Sequence, residues 1–313
     1  MAEARAGSPW VVGVTGASGF IGGALCTELA ANGDRVRRFV RGRAASPGEI
    51  AWDPARGALE PAALEGLDAI VHLSGASLAG PRWTAARKHE LVQSRVGSTA
   101  TLARAIGSCS RPPRVLVSGS AVGWYGDRGD EPVDESSAPG RGFLAGMAHD
   151  WEAAAAPAAA AGVRVVHPRT GLVLARQGGV LAALERPFAL GLGGPLAGGR
   201  AWWSWIALGD LLRAIGFALR DERLRGPFNA VSPAPVRQGE FARALGAALH
   251  RPAFAPAPAF ALRILLGRER ADEMLLAGQR AAPAVLLAAG FSFASPALGP
   301  YLDLLYGRSS GAR

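Results

Sequence analysis

Three glycines, Gly16, Gly19 and Gly22, lie in the stretch "VVGVTGASGFIGG" between a run of Val and Thr and an apolar segment of helical period. A strand-to-helix turn without side chains at these positions lets the backbone approach a pyrophosphate, whose charge then faces the free N–H groups of a helix N-terminus. The spacing alone is weak evidence; the strand before it, the helix after it and a second strand beyond make the dinucleotide reading specific. Nineteen residues past Gly22, at the end of that second strand, stands Arg41. An acidic residue there would accept hydrogen bonds from a ribose 2′-hydroxyl, whereas an arginine pairs with a 2′-phosphate, which favours NADP over NAD. Arg43 is the competing donor, and a solvated role is open to both.

These residues need a sheet to hold them. β-type runs at 10–15, 35–40, 68–74, 114–120 and 163–170 alternate with helical patterns at 20–32, 84–107 and 143–161. Such alternation predicts an α/β fold, a doubly wound parallel sheet of Rossmann type. After Gly171 the texture changes: "GLGGPLAGGR", "SPAPV" and "RPAFAPAPAF" punctuate a less regular region, read as a smaller C-terminal lobe over the carboxyl edge of the sheet. The expected division is a cofactor domain over 8–172 with about 205–230, and a substrate-covering lobe over 173–204 and 231–306.

Composition narrows the function. The net charge of +9 comes from scattered arginines with no run of five or six basic residues, which argues against nucleic acid, and a positive field favours an anionic ligand. Cys26 and Cys109 are too few for a disulfide framework or a zinc site. The acidic stretch Asp127, Asp130, Glu131, Asp134 and Glu135 has no metal-ligand spacing and reads as a solvated loop. With no apolar run near the ~18 residues of a membrane span and no apolar stretch in "MAEARAGSPW", the expectation is a soluble, cytoplasmic protein with no membrane partner.

The turn "TGASGFIG" resembles that of extended short-chain dehydrogenase/reductases. "HLSGASLAGPRWTAARKHELVQSRVGST", "SGSAVGWYGD", "FLAGMAHDWEAAA", "PRTGLVLARQGGVL", "FALGLGGPLAGGRAWWSWI", "GPFNAVSPAPV" and "GQRAAPAVLLAAGFSF" extend the likeness from about Val11 to Tyr306. Together they resemble the atypical, NADP-linked branch known as the epimerase family, or NAD-dependent epimerase/dehydratase-like oxidoreductases. The resemblance implies that Gly16, Gly19, Phe20, Ile21 and Gly22 contact the pyrophosphate and that Arg41 meets the 2′-phosphate. It implies that Leu73, Ser74 and Gly75 pass along the adenosine and ribose, and that Glu90 and Arg95 lie on the next helix, Arg95 where many relatives have a cofactor-binding Asn. Arg169 would sit near the nicotinamide end. For all but the glycines and Arg41, a surface or packing role is the alternative.

Short-chain reductases commonly use a Tyr with a Lys four residues on, the ammonium lowering the phenol's pKa for proton transfer. This chain has Tyr125, Tyr301 and Tyr306, and its one lysine is Lys88, so no such pair exists. Phe143 or Leu144 falls near the Tyr position, and Met147 or Ala148 near the Lys position. The resemblance leaves Ser120, aligned with a serine that polarises a substrate carbonyl, and Tyr125, five residues beyond it; Ser120 otherwise caps a turn and Tyr125 packs beneath the lobe. His149 is expected on a solvated face. Trp202, Trp203 and Trp205, preceded by Arg200, form either an aromatic wall for a ligand or the core of the lobe. Where relatives write "SWIH" this chain has Ala207. The leading expectation is an NADP(H)-dependent oxidoreductase or epimerase acting on a small carbonyl or sugar-like substrate, as a monomer or homodimer. The rival is an NADPH-binding regulatory or scaffold protein with little catalysis.

Overall fold

The computed structural model describes residues 8–80 and 82–307; residues 1–7, which carry most of "MAEARAGSPW", lie outside them. The first strand, β1 (Val11–Thr15), leads through the glycine turn into α1 (Phe20–Ala31), followed by β2 (Arg35–Arg41), β3 (Glu49–Trp52) and β4 (Ala69–His72). The helical pattern over 84–107 becomes α2 (Ala85–Val92) and α3 (Ser98–Gly107), separated by a turn of π-helix over 93–97. After β5 (Val115–Ser118), β6 (Ser120–Ala121) and β7 (Pro132–Val133), the pattern over 143–161 divides into α4 (Phe143–Ala153) and α5 (Ala156–Ala160). Pro157 stands in the first turn of α5, where a missing N–H leaves no helical bond unmade. The chain continues through β8 (Arg164–Thr170), β9 (Leu172–Ala175), α6 (Gly179–Ala189), β10 (Trp202–Trp203), β11 (Trp205–Ala207), α7 (Leu208–Arg220) and β12 (Gly226–Ala230). It ends with β13 (Val236–Arg237), α8 (Gln238–Ala248), α9 (Ala259–Leu266), α10 (Arg268–Ala271), β14 (Arg280–Ala281), α11 (Ala284–Ala288) and α12 (Leu298–Tyr306).

The main sheet runs β12-β8-β5-β4-β1-β2-β3, parallel throughout, with β6 also paired to β8. Alternation along each strand assigns the two faces. Val12, Val14, Ala69, Val71, Val115 and Val117 pack with Leu25 and Leu29 of α1 and with Leu211 and Ile215 of α7. Ile70 and Leu116 point the other way, against Leu102 and Ile106 of α3 and Ala158 of α5. Helices on both faces make the sheet doubly wound.

The lobe has its own core: Leu181 and Phe188 of α6, Trp203 and Trp205, Phe241 and Leu245 of α8, and Leu302 of α12. Leu286 of α11 and Phe291, placed by sequence in the lobe, instead pack in the main core beside α7 and β12. Strand β3 and strand β12 escaped the sequence reading because "EIAW" is short and "GPFNA" carries Gly, Pro and Asn, all poor strand formers. Among the described residues no helix is long and apolar enough to cross a membrane.

Candidate cofactor and active site

The glycine turn sits where β1 ends between β4 and β2, the point at which strand order reverses and a crevice opens at the carboxyl edge. Its glycines have no space for side chains. Gly16 has φ +65°, and a Cβ there would lie 2.7 Å from the Leu73 carbonyl oxygen; a Cβ on Gly22 would lie 2.1 Å from the Gly16 carbonyl oxygen. The first i→i−4 bond of α1 runs from Gly23 N to Gly19 O at 2.8 Å, so the N–H groups of Phe20, Ile21 and Gly22 precede it at the helix mouth. The first turn of α1 carries no acidic residue, which leaves the positive end of the helix dipole open to an anion. The Phe20 ring packs under Gly178 and Gly179: a Cβ on Gly178 would come within 2.5 Å of it.

A buried histidine fixes the other side of the crevice. Thr15 Oγ1 accepts from Leu73 N at 3.1 Å and Ser74 N at 3.2 Å, and lies 2.7 Å from His72 Nδ1. With two donors arriving, the Thr15 hydroxyl donates to Nδ1, so Nε2 carries the ring proton toward Ser98 Oγ, 3.2 Å away. Burial lowers the His72 pKa to about 3 and keeps the ring neutral. The N–H groups of Leu73 and Ser74 are therefore held by Thr15. Gly75 lies beyond them, and its missing side chain makes room for Arg95, whose Cζ would be 3.1 Å from a Cβ there. Arg95 stacks on Trp151 at 5.4 Å and is lowered to about 10 by burial and by Arg87.

Arg41 is exposed at the end of β2, beside β1 and opposite Trp52 of β3. Glu90 does not join this group: it is exposed and pairs with Arg87 at 2.6 Å, an ordinary one-turn helix ion pair.

Ser120 lies at the carboxyl end of the sheet in a buried polar chain. Its hydroxyl donates to Glu152 Oε1 at 2.6 Å, and it is 5 % exposed. The same carboxylate accepts Arg169 Nε at 2.8 Å and Nη2 at 3.0 Å. Arg169 also donates to the Tyr125 hydroxyl at 3.1 Å and lies 3.8 Å over the Trp124 ring. Two expectations change here. Tyr125 is fully buried and donates to Asn229 Oδ1 at 2.8 Å, so its hydroxyl braces the core, and burial pushes its phenol up despite Arg169. Arg169, 3 % exposed, has its guanidinium engaged by Glu152, Tyr125 and Trp124 and not by an open nicotinamide site. Glu152 and Asn229 were missed because a single carboxylate in "HDWEAAA" and an Asn in "GPFNA" carry no spacing that announces a partner.

On α4, Met147 and Ala148 are buried and aliphatic, so no cation is supplied from the usual place. The N-terminus of this helix is capped from afar: Glu273 accepts from Phe143 N at 2.8 Å and Leu144 N at 2.7 Å. Lys88 pairs with Glu269 at 2.9 Å and sits 5.1 Å over the Phe143 ring. His149 is exposed and stacks on Trp124 at 5.5 Å. Of the tryptophans, Trp205 and Trp203 belong to the lobe core, while half-buried Trp202 lies between Arg237 at 4.1 Å and Arg280 at 4.8 Å. Beside it opens a cavity of about 650 Å³, with Arg200, Arg237 and Arg243 opposite Asp127, Asp130 and Glu240. No cluster of metal-ligating side chains occurs among the described residues.

A model of the NAD dependent epimerase/dehydratase family matches residues 12–230. The chain belongs to that family. The match spans the parallel sheet, the glycine turn and the Ser120 strand, and bears out the resemblance read from the sequence. A domain of unknown function, DUF1731, matches residues 257–305. Epimerase family protein ML0860 of Mycobacterium leprae is 42 % identical over 98 % of this chain and 99 % of its own length. The crystal structure of human epimerase family protein SDR39U1 (isoform 2) with NADPH is similar at a TM-score of 0.87 and 36 % identity, covering 95 % of this chain and 99 % of that one. More distant family enzymes share the fold alone: the Thermus thermophilus UDP-glucose 4-epimerase complex with NAD has a TM-score of 0.71 at 19 % identity, covering 95 % of this chain and 99 % of that one.

Proposed function

We propose that this chain binds NADP(H) and acts as an oxidoreductase or epimerase on a small carbonyl or sugar-like substrate. The observation that carries the cofactor reading is the side-chain-free turn at Gly16 and Gly22, tight enough to exclude a Cβ and set at an uncompensated helix mouth. Gly19 and the N–H groups of Phe20, Ile21 and Gly22 would hold the pyrophosphate and Arg41 the 2′-phosphate. Leu73, Ser74 and Gly75 would border the ribose, with Arg95 behind Gly75 as the nearby cation. The 36 % identical human relative crystallised with NADPH supports the same choice.

The nicotinamide, when bound, exchanges hydride with a substrate carbon. Ser120 is the group that would touch the substrate oxygen. Because its proton already points at Glu152, its lone pairs are free to accept from a substrate hydroxyl as its own proton moves to the carboxylate. Glu152, fixed by Arg169, is a positioning residue in this scheme. The loss of the Tyr-Lys pair favours the second reading, a cofactor-binding protein that regulates or scaffolds a partner. Two measurements separate these readings. In calorimetric titrations NADPH should bind at least about tenfold more tightly than NADH, with the preference lost in Arg41→Ala, as expected for one charge-assisted contact. Substrate-dependent loss of NADPH absorbance across a panel of carbonyl compounds, falling about a hundredfold or more in Ser120→Ala, supports the enzyme. Tight NADPH binding without turnover supports the regulator.

A further inference from the structure

Glu152 also lines a second cavity, of about 460 Å³, between α4–α5 and the β8–β12 edge of the sheet. Ser120, Tyr125, Arg169 and the glycine turn take no part in its walls, so it is separate from the crevice described above. Its sides are small and apolar: Ala155, Ala156 and Ala159 come from the end of α4 and from α5, and Val163 and Val165 from the approach to β8 and from β8 itself. The alanines make the space, since a larger side chain on α5 would fill it.

One polar group in this wall has an unmet need. His167 is 8 % exposed, and its Nδ1 has no hydrogen-bond partner. Burial lowers its pKa, so the ring is neutral, and its hydrogen bond is to the Ser118 backbone. With Nδ1 unpartnered, that bond uses Nε2–H on the carbonyl, which leaves Nδ1 a bare acceptor. A buried acceptor without a donor is costly, and a ligand hydroxyl would relieve that cost. The carboxylate of Glu152 is already taken by Ser120 and Arg169, and exposed Arg225 stands at the rim.

We propose that this cavity is a second ligand site, for a small apolar molecule whose hydroxyl donates to His167 Nδ1, with Arg225 placed to meet an acidic substituent. Glu152 belongs both to this wall and to the Ser120 hydrogen bond, so the occupied cavity bears directly on the candidate catalytic serine. The site is independent of the cofactor reading, and the test uses no cofactor.

Phenol and toluene, which differ by the hydroxyl, are titrated calorimetrically into the full chain. Phenol binds about tenfold or more tightly than toluene, a discrimination that one buried hydrogen bond supplies. His167→Phe keeps the ring shape, removes the acceptor and brings the two within about twofold of each other. Ala159→Phe, on the exposed side of α5, fills the cavity and weakens both by about tenfold or more. Equal affinities in the unaltered protein, no binding of either at millimolar concentration, or an Ala159→Phe variant that binds both as before would overturn the proposal.

Discussion

At the scale of single residues, His72 is the group whose chemistry the fold changes most. Its ordinary value of 6.5 falls to about 3 in the folded chain, so the unfolded state binds a proton that the native state refuses. The stability it contributes is present above pH 6.5 and is lost progressively as the pH falls from there toward 3, by up to about 1.4 kcal/mol per pH unit. Urea denaturation between pH 7 and 5 should show this decline, and His72→Gln should reduce its slope by about one proton's worth; an unchanged slope in the variant would contradict the assignment. His72 sits inside the quoted stretch "HLSGAS", yet nothing in the sequence pointed to it. Its partners Thr15 and Ser98 stand 57 and 26 residues away, and only the parallel pairing of β1 with β4 brings them together. The glycines and Arg41 were legible because their roles are local, a turn and a strand end. Tyr125 and Arg169 were misjudged for the opposite reason: what occupies the Tyr125 hydroxyl is Asn229, 104 residues on, and what occupies Arg169 is Glu152 on another element.

At the scale of elements, alternating strands and helices were readable through β8 because buried parallel strands are continuous apolar runs. What escaped was where helices break and how they are held. The π-turn over 93–97 interrupts a helix with no Pro to mark it, and α4 is capped by Glu273 from 129 residues or more away. Arg164, the first residue of β8, shows how much one such tie holds. Its guanidinium donates to the carbonyls of Ala218 at 2.8 Å, Leu219 at 2.9 Å and Leu224 at 2.9 Å, satisfying the end of α7. Burial lowers its pKa, but three carbonyls hold the charge in place. Arg164→Met keeps the aliphatic stem and leaves those carbonyls unpaired. It should lower the unfolding free energy by about 2–4 kcal/mol in a urea melt, and a loss under about 0.5 kcal/mol would show that water replaces the cap without cost.

At the scale of the whole molecule, a doubly wound sheet presents one edge on which the glycine turn, the Thr15–His72 brace and the Ser120 strand all end. The lobe reaches that edge twice, through Gly178 and Gly179 over Phe20 and through Glu273 at the start of α4. The fold carries a dinucleotide crevice, while the chemistry beside it departs from the usual proton donor: aliphatic residues replace the Tyr-Lys pair, and a Ser–Glu–Arg chain stands nearby. The central claim is that these parts serve one bound NADP(H). Its most direct test is a crystal structure of the chain with NADPH. The account predicts the pyrophosphate against the N–H groups of Phe20 and Ile21, the 2′-phosphate on Arg41, and the reactive face of the nicotinamide opening toward Ser120. A 2′-phosphate without contact to Arg41, or a nicotinamide face sealed from Ser120 by side chains of the lobe, would contradict it.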